Sequence, residues 1–279
     1  MMMESIKILI PTDFSVQAEF AYLMVKKLAE KMKVEIHFAH VLSVPDTVYL
    51  DANGHLQTCG EIDKGYLEKQ KEIAERNLDN LKTLYGDEIQ TKFLLGKVSD
   101  AIVQYAESMQ ADLIVTGTKG KWGLEEKLSA SESQVFAQKS SIPVLSLMCD
   151  RSDLIIRNVL LVHNFNQPKV ENLSLIHKII LSFDAKVHLL QIVTGDKVVE
   201  THQCNINMRT WAQLNGIDEY ECHILHDLDI EAGIVHFNLM HEMDIVCIGT
   251  HGKGSFLHHT LTGKLINHLF KPIISFHLN

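Results

Sequence analysis

The residues with the clearest capacity for chemistry stand at the ends of two apolar runs. Asp13 follows the first run, and Gly117, Thr118, Lys119 and Gly120 follow a later one. Glycines after a strand let the backbone approach an anion closely, and a following helix offers free N–H groups and the positive end of its dipole. The Asp13 carboxylate can accept hydrogen bonds from a sugar or a base. This pairing predicts a site for a phosphorylated ligand, and a glycine turn without a ligand is the alternative.

The sequence gives little support for a P-loop or for a catalytic nucleophile. The glycine segment is not a Walker A loop, because no Gly-Lys-Ser or Gly-Lys-Thr follows it. No Ser, His and Asp set and no Cys and His pair attaches to a recognisable nucleophile turn. We therefore predict no catalytic residue.

Apolar runs alternate with amphipathic stretches along the whole chain, which predicts an α/β fold. In an open parallel sheet of order 3-2-1-4-5, with helices on both faces, Asp13 and Gly117 leave neighbouring strands where the strand order reverses. Residues 44–60 read as an irregular excursion because of Pro45, Asn53-Gly54 and Gly60. The predicted strands are 6–10, 34–41, 89–95, 113–116, 143–148, 158–162, 186–193, 219–225, 244–248 and 272–278. The predicted helices include those at 62–84, 99–109, 132–140, 168–183, 205–215, 229–241 and 261–269.

The chain carries this pattern twice. Residues 7–15 return at 158–166 and 35–41 at 186–192, both at an offset of 151, whereas 111–120 return at 243–252, at an offset of 132. Each copy is long enough to bury its own core. We predict two domains, 1–150 and 154–279, the second shortened, and joined so closely that they lie tightly apposed.

Composition narrows the function classes. The 279 residues carry a formal net charge of -9 without a basic cluster, which argues against a nucleic-acid or anionic-membrane surface. Apolar runs reach about six residues, far short of the ~20 that span a bilayer. The chain has no signal-peptide pattern, and its five cysteines lack paired CxxC spacing. These features predict reduced thiols in a cytoplasmic protein.

The histidines are concentrated in the second copy, which raises the question of a metal. Neighbours in a strand point to opposite faces, and residues five apart on a helix do not share one. We therefore predict no metal site. The groups considered are Cys222-His223-x-x-His226, His236 with His241, and His258-His259.

In combination these motifs resemble the universal stress protein family, in a form with two such domains in one chain. The resemblance lies in KILIPTDFS at 7–15, the strand at 35–41, DLIVTGTKG at 112–120 and IPVL at 142–145, with DIVCIGTHG and KPIISF in the second copy. It implies the adenine nucleotide alpha hydrolase-like fold. It also implies that the last strands, 143–148 and 272–278, pair across a pseudo-twofold axis.

The resemblance further implies an ATP site. Nucleotide-binding members carry G-x-x-G, nine residues, then Gly-Ser or Gly-Thr around the phosphates, an acidic residue near the adenosine, and a strand residue whose backbone meets the adenine. Carried over here, the site residues are Thr12, Asp13, Val41, Gly117, Thr118, Lys119, Gly120, Ala130 and Ser131. Ala130 departs from the family's glycine. In the second copy Gly249 and Gly252 match, but the distal pair is Thr262-Gly263 and Asn164 replaces the aspartate.

These observations predict a cytoplasmic, non-catalytic regulatory protein of the stress response that binds ATP weakly, in its first domain only. One alternative keeps the fold without the ligand, as a scaffold that acts through protein–protein contacts. Another is a slow ATP hydrolase, for which no general base is identifiable. A homodimer or another protein partner is left open.

Overall fold

The computed structural model describes residues 5–59, 62–118, 135–136, 139–195, 200–251, 265 and 269–278. Its strands are β1 Ile6–Pro11, β2 Val34–Leu42, β3 Val48–Leu50, β4 Leu56–Thr58, β5 Gln90–Leu95, β6 Leu113–Gly117, β7 Val144–Leu147, β8 Asn158–Val162, β9 Lys186–Thr194, β10 Tyr220–Asp227, β11 Ile245–His251 and β12 Ile273–Leu278. Its helices are α1 Val16–Ala29, α2 Lys64–Tyr85, α3 Val98–Ser108, α4 Ser174–Phe183, α5 Thr201–Leu214 and α6 Ile230–Met240. The predicted helices at 132–140 and 261–269 lie almost wholly outside the described residues.

Ten strands form one sheet in the order β10-β9-β8-β11-β12-β7-β6-β1-β2-β5. Within each half the strands are parallel and follow the predicted order 3-2-1-4-5. The halves join through β7 and β12, which pair antiparallel with Leu145 opposite Ile274. The predicted pairing of the two last strands is therefore confirmed, and it covers two edges that would otherwise expose unpaired backbone groups.

Helices on both faces bury the apolar strands. In β1, Ile8, Leu9 and Ile10 are all buried, as expected of a strand covered on both sides. Successive side chains point to opposite faces of the strand, so Ile8 and Ile10 pack in one hydrophobic cluster and Leu9 packs in another. No helix within the described ranges is both long enough and apolar enough to cross a bilayer.

The excursion after β2 contains a hairpin that the sequence reading missed. Strands β3 and β4 pair antiparallel, with Val48 opposite Thr58. Asp51 Oδ1 accepts hydrogen bonds from the N–H groups of Asn53 and His55, both at 2.9 Å, and Gly54 has a φ of +79°. An Asp side chain that satisfies the turn backbone and a glycine at positive φ explain why the chain reverses here.

The helix after β8 was expected from residue 168, but α4 begins at Ser174. Asn215, at the end of α5, donates to the carbonyl of Lys169 at 2.9 Å and accepts from the N–H of Glu171 at 2.7 Å. A buried amide thus holds this backbone outside a helix. The turn after β8 is consequently much longer than the turn after β1, where α1 begins at Val16.

Candidate functional site

The turn between β1 and α1 places the first predicted site residues. The backbone N–H of Thr12 continues the sheet by donating to Ala39 O at 2.9 Å, and Thr12 Oγ1 accepts from the N–H of Phe14 at 3.0 Å. Asp13 is exposed, and its Oδ1 accepts from the N–H of Ser15 at 3.0 Å. Ser15 then caps α1 by accepting from the N–H of Ala18 at 3.5 Å. These local bonds fix a carboxylate next to the positive end of α1.

His40 supports this turn from the neighbouring strand, and the sequence reading missed it. Its Nδ1 lies 2.8 Å from the carbonyl oxygen of Thr12, and its ring stacks on Phe14 with 4.6 Å between the ring centroids. Because a carbonyl only accepts, Nδ1 carries the proton and Nε2 of a neutral ring is left as an acceptor. The packing matters because Phe14 has a φ of +63°, a conformation that rarely suits a bulky residue.

Gly117 is the last residue of β6, and it packs against the first turn of α1. A Cβ at this position would lie 1.9 Å from the backbone oxygen of Gln17, in the first turn of α1. Only glycine permits that approach, so Gly117 has a packing role whatever the ligand. Thr118 follows it, buried, with its N–H donating to Leu147 O at 2.8 Å. Its Oγ1 is also buried and has no hydrogen-bond partner among the residues that the structure describes.

The structure thus brings Thr12, Asp13 and Gly117 to the N-terminal end of α1, and Thr118 follows Gly117 beside β7. Val41 is half-buried near the end of β2, beside Leu94 of β5. The other predicted site residues, Lys119, Gly120, Ala130 and Ser131, lie outside the described residues. Their part in the site stays a prediction.

The matching turn of the second half is built differently. His163, Asn164 and Phe165 stand where Thr12, Asp13 and Phe14 stand in the first half. Asn164 repeats the turn bond by accepting from the N–H of Asn166 at 3.1 Å, but it carries no charge. Phe165 is fully buried, and its ring meets the buried Trp211 edge to face at 5.2 Å. Buried aromatic packing of Phe165 against Trp211 therefore supports this turn. In the first half a histidine on the neighbouring strand has that role.

Comparison of the sequence with known families and proteins shows which family the chain belongs to. A model of the universal stress protein family matches residues 6–147. A universal stress protein of Methanocaldococcus jannaschii is 32% identical over 139 residues, covering 50% of this chain and 79% of the relative. A second one from the same organism is 30% identical over 149 residues, covering 50% of this chain and 92% of the relative. The chain belongs to the universal stress protein family.

Solved structures extend the fold over the whole chain. The crystal structure of a universal stress protein from Archaeoglobus fulgidus matches with a TM-score of 0.74 at 18% identity, covering 98% of this chain and 96% of that one. A putative universal stress protein from Pseudomonas aeruginosa matches with a TM-score of 0.61 at 13% identity, covering 99% and 95%. The second half of this universal stress protein therefore shares the fold, although the family model matches only the first.

The second half has an open pocket beside the turn after β8. It measures about 390 Å³ and is lined by His163, Asn164, Asn166, Gln167 and Lys169. Gln191, which stands where His40 stands in the first half, donates to Asn166 Oδ1 at 3.2 Å. The described residues of the lining offer amides, one imidazole and one ammonium group, and none of them carries a carboxylate comparable to Asp13.

The histidine arrangements considered from the sequence separate as expected. Cys222 packs on one core cluster, whereas the His223 ring contacts Phe237 on the other face, at 4.8 Å between ring centroids. His226 is exposed, and His236 Nδ1 pairs with Asp227 at 2.7 Å. His258 and His259 lie outside the described residues. The sequence prediction, however, considered only histidines and cysteines that lie close together along the chain.

His223 has a partner on the neighbouring strand that spacing along the chain could not reveal. His188 Nδ1 lies 3.1 Å from His223 Nε2, and Glu221 reaches the same group. Burial lowers the pKa of both imidazoles, so both rings are neutral at pH 7. The hydrogen bond from Lys186 lowers the pKa of the Glu221 carboxyl, which is therefore ionised.

Proposed function

We propose that this universal stress protein is a non-catalytic regulatory protein of the stress response that binds ATP in its first half. Two observations carry the proposal: an exposed carboxylate, Asp13, lies at the N-terminal end of α1, and at the end of the neighbouring strand β6 the buried hydroxyl of Thr118 has no hydrogen-bond partner among the described residues. Buried hydroxyls are almost always hydrogen-bonded, so this atom calls for a partner. A phosphate oxygen is a suitable acceptor.

The two groups suit opposite ends of a nucleotide. The Asp13 carboxylate can accept from a ribose hydroxyl, a bond worth roughly 1.5–3 kcal/mol when one partner is charged. The phosphates suit the other end, because Gly117 and Gly120 in the sequence let an anion approach the backbone closely after β6. Val41, near the end of β2, is the position that the family pattern places beside the adenine.

The second half supports this assignment by contrast. Asn164 makes only the weaker, neutral form of the Asp13 bond, roughly 0.5–1.5 kcal/mol. Its turn is long, because eleven residues separate the end of β8 at Val162 from the start of α4 at Ser174, so the turn lacks an adjacent helix N-terminus. These differences favour the first half for the nucleotide.

We expect weak binding. Ala130 stands where nucleotide-binding members carry glycine, and if that backbone requires a positive φ the added Cβ costs roughly 1–2 kcal/mol. Such a cost corresponds to about one decade in affinity. The expected dissociation constant is micromolar or higher, and ATP should not survive purification.

The test is an ATP titration by calorimetry of the wild type, Gly120→Val and Gly252→Val. Binding by wild type and Gly252→Val, but not by Gly120→Val, supports the first-half site. Binding abolished only by Gly252→Val would place the nucleotide in the second half. A third variant, Thr118→Val, removes the unpaired hydroxyl at nearly constant volume. It should weaken ATP about 2- to 12-fold, the value of one neutral hydrogen bond, without lowering the stability of the free protein.

The same experiment separates the alternatives. No heat signal at millimolar ATP would contradict nucleotide binding and favour the scaffold that acts through protein–protein contacts. Phosphate release above the blank, lost in Gly120→Val, would favour the slow hydrolase over a non-catalytic protein. We expect binding without phosphate release.

A further inference from the structure

Three polar side chains converge near the amino ends of β9 and β10, far from the proposed nucleotide site. His188 is the third residue of β9, and it lies directly opposite Glu221 of β10 in the sheet register. His223 lies two residues after Glu221 and therefore on the same face. Backbone pairing of β9 and β10, the two strands at one edge of the sheet, fixes the positions of all three residues.

Their ligand atoms are close to one another. His188 Nδ1 lies 3.1 Å from His223 Nε2 and 3.4 Å from Glu221 Oε2, and His223 Nε2 lies 3.7 Å from the same oxygen. The two ring centroids are 5.3 Å apart, well beyond the nitrogen separation, with the ring planes inclined by 21°. The rings therefore meet edge to edge, and the facing nitrogens share one N–H···N hydrogen bond. For both lone pairs to meet one ion, that proton must leave and the rings must rotate slightly.

Neighbouring groups orient two of the three side chains. His188 Nε2 lies 3.3 Å from Asn158 Oδ1, so Nε2 carries the proton and Nδ1 presents its lone pair to the cluster. Lys186 Nζ binds Glu221 Oε1, which leaves Oε2 directed at the histidines. Outer partners of this kind, on the far nitrogen of a histidine and the far oxygen of a carboxylate, are usual around metal ligands.

We propose that His188, His223 and Glu221 bind a divalent transition-metal ion, with zinc as the ion that their chemistry fits best. In tetrahedral zinc sites, metal–ligand distances of about 2.0–2.2 Å separate the ligand atoms by roughly 3.3 Å, close to the three separations found here. Two imidazoles and a carboxylate leave one position for water. His241, whose ring centroid is 5.2 Å from that of His223, is near enough to occupy it after a change of rotamer. This proposal replaces the expectation of no metal drawn from the sequence.

The first half provides a natural comparison for this site. His37 matches His188, and it lies opposite Gln90 as His188 lies opposite Glu221. Lys92 then takes the place of His223. An amide and an ammonium group thus replace a carboxylate and an imidazole, so the first half retains one ligand of three and should not bind the ion.

The test uses the full chain, purified without a metal-affinity tag and treated with a chelator, and titrated with ZnCl₂ by calorimetry. We expect one equivalent bound by the wild type. His223→Gln should weaken zinc at least 100-fold and Glu221→Gln at least tenfold, while the exposed controls His226→Gln and His236→Gln change affinity less than twofold. Circular dichroism spectra and melting curves of the free variants establish that each is folded.

Cobalt gives an independent readout, because four-coordinate Co²⁺ has intense visible absorption bands that hydrated Co²⁺ lacks. These bands should appear in the wild type and be absent in His223→Gln. Failure of folded wild type to bind a stoichiometric ion would overturn the proposal, as would binding that survives in His223→Gln or is lost in His226→Gln. The ATP titration does not involve these residues, so neither result decides the other.

Discussion

The two halves support the turn after their first strand differently: a histidine on the neighbouring strand supports it in the first half, and a buried tryptophan packs beneath it in the second. In the first half Asp13 is exposed and His40 supports the turn by binding the Thr12 carbonyl. In the second half Phe165 is buried against Trp211. The strands beneath both turns keep the same order and direction.

Near the amino ends of the strands, it is the second half that carries a polar cluster. In the second half Asn158 and Lys186 bind the far sides of His188 and Glu221, which face each other and His223. In the first half the residue matching Asn158 is Lys7, whose ammonium group donates to Met109 O at 3.2 Å. His37 there pairs with Glu35 at 2.7 Å instead of with a second histidine.

This comparison teaches that a duplicated sheet can divide its binding capacity between copies. Strand pairing fixes where side chains lie, and a few substitutions at those positions decide what they can hold. In our proposals the first half binds an anionic nucleotide at the carboxyl end, and the second binds a cation near the amino end. The following predictions would break or sharpen that contrast.

The largest effect is expected for Trp211→Ala, which removes the side chain beneath the second turn. Trp211 is fully buried and contacts both His163 and Phe165, so truncation should destabilise the second half by about 3–5 kcal/mol. Urea unfolding followed by circular dichroism measures the loss. His40→Ala is the matched variant in the first half, and its cost should be smaller because His40 is only half-buried. Equal costs would contradict the difference in packing.

Gly117→Ala should destabilise the first half by about 3 kcal/mol, at the upper end of overpacking costs, since the new Cβ meets a backbone oxygen rather than a movable side chain. The control is Gly65→Ala in α2, where the nearest atom to a Cβ is Asp63 Oδ1 at 3.4 Å. That change should be neutral or stabilise by up to about 1 kcal/mol. If Gly117→Ala unfolds in urea like the wild type, the close approach of β6 to α1 is wrong.

Moving the second-half cluster into the first half should create a zinc site. The double variant Gln90→Glu/Lys92→His gives His37 the two partners that His188 has. We expect a second zinc equivalent, bound about 10- to 100-fold more weakly than the first, because Lys7 replaces the orienting Asn158. Calorimetry with ZnCl₂ measures the stoichiometry, and Lys92→His alone is the control. A double variant that still binds a single equivalent would show that these positions do not suffice.

The smallest effect is expected at the turn carboxylate. Asp13→Asn keeps the bond to the Ser15 N–H, as Asn164 does for Asn166, so stability should change by less than about 0.5 kcal/mol. ATP affinity should fall up to about tenfold, the difference between a charged and a neutral hydrogen bond. The reciprocal variant, Asn164→Asp, should leave the ATP affinity unchanged. An effect of Asn164→Asp larger than that of Asp13→Asn would reverse the assignment of the halves.

The sequence by itself determined the repeat and the parallel direction of the strands within each half, whereas the neighbourhood of Asp13 and Gly117 follows only once the strand order 3-2-1-4-5 is given. The repeat and the strand direction follow from short-range information: apolar periodicity identifies the strands, and parallel connection brings their carboxyl ends to one edge. The family resemblance added the antiparallel pairing of β7 with β12. It also named Thr12 and Asp13, which the structure places just before α1, and Thr118, which it places after β6.

Only the tertiary structure decided what depends on residues distant in sequence. The helix after β8 begins at Ser174 because Asn215, more than forty residues later, binds the preceding backbone. Gly117 is needed as glycine because Gln17 packs on it, a contact that no local pattern shows. The cluster of His188 with Glu221 and His223 exists because β9 and β10 pair in one register. Spacing along the chain carries no record of that register, so the sequence did not reveal this cluster.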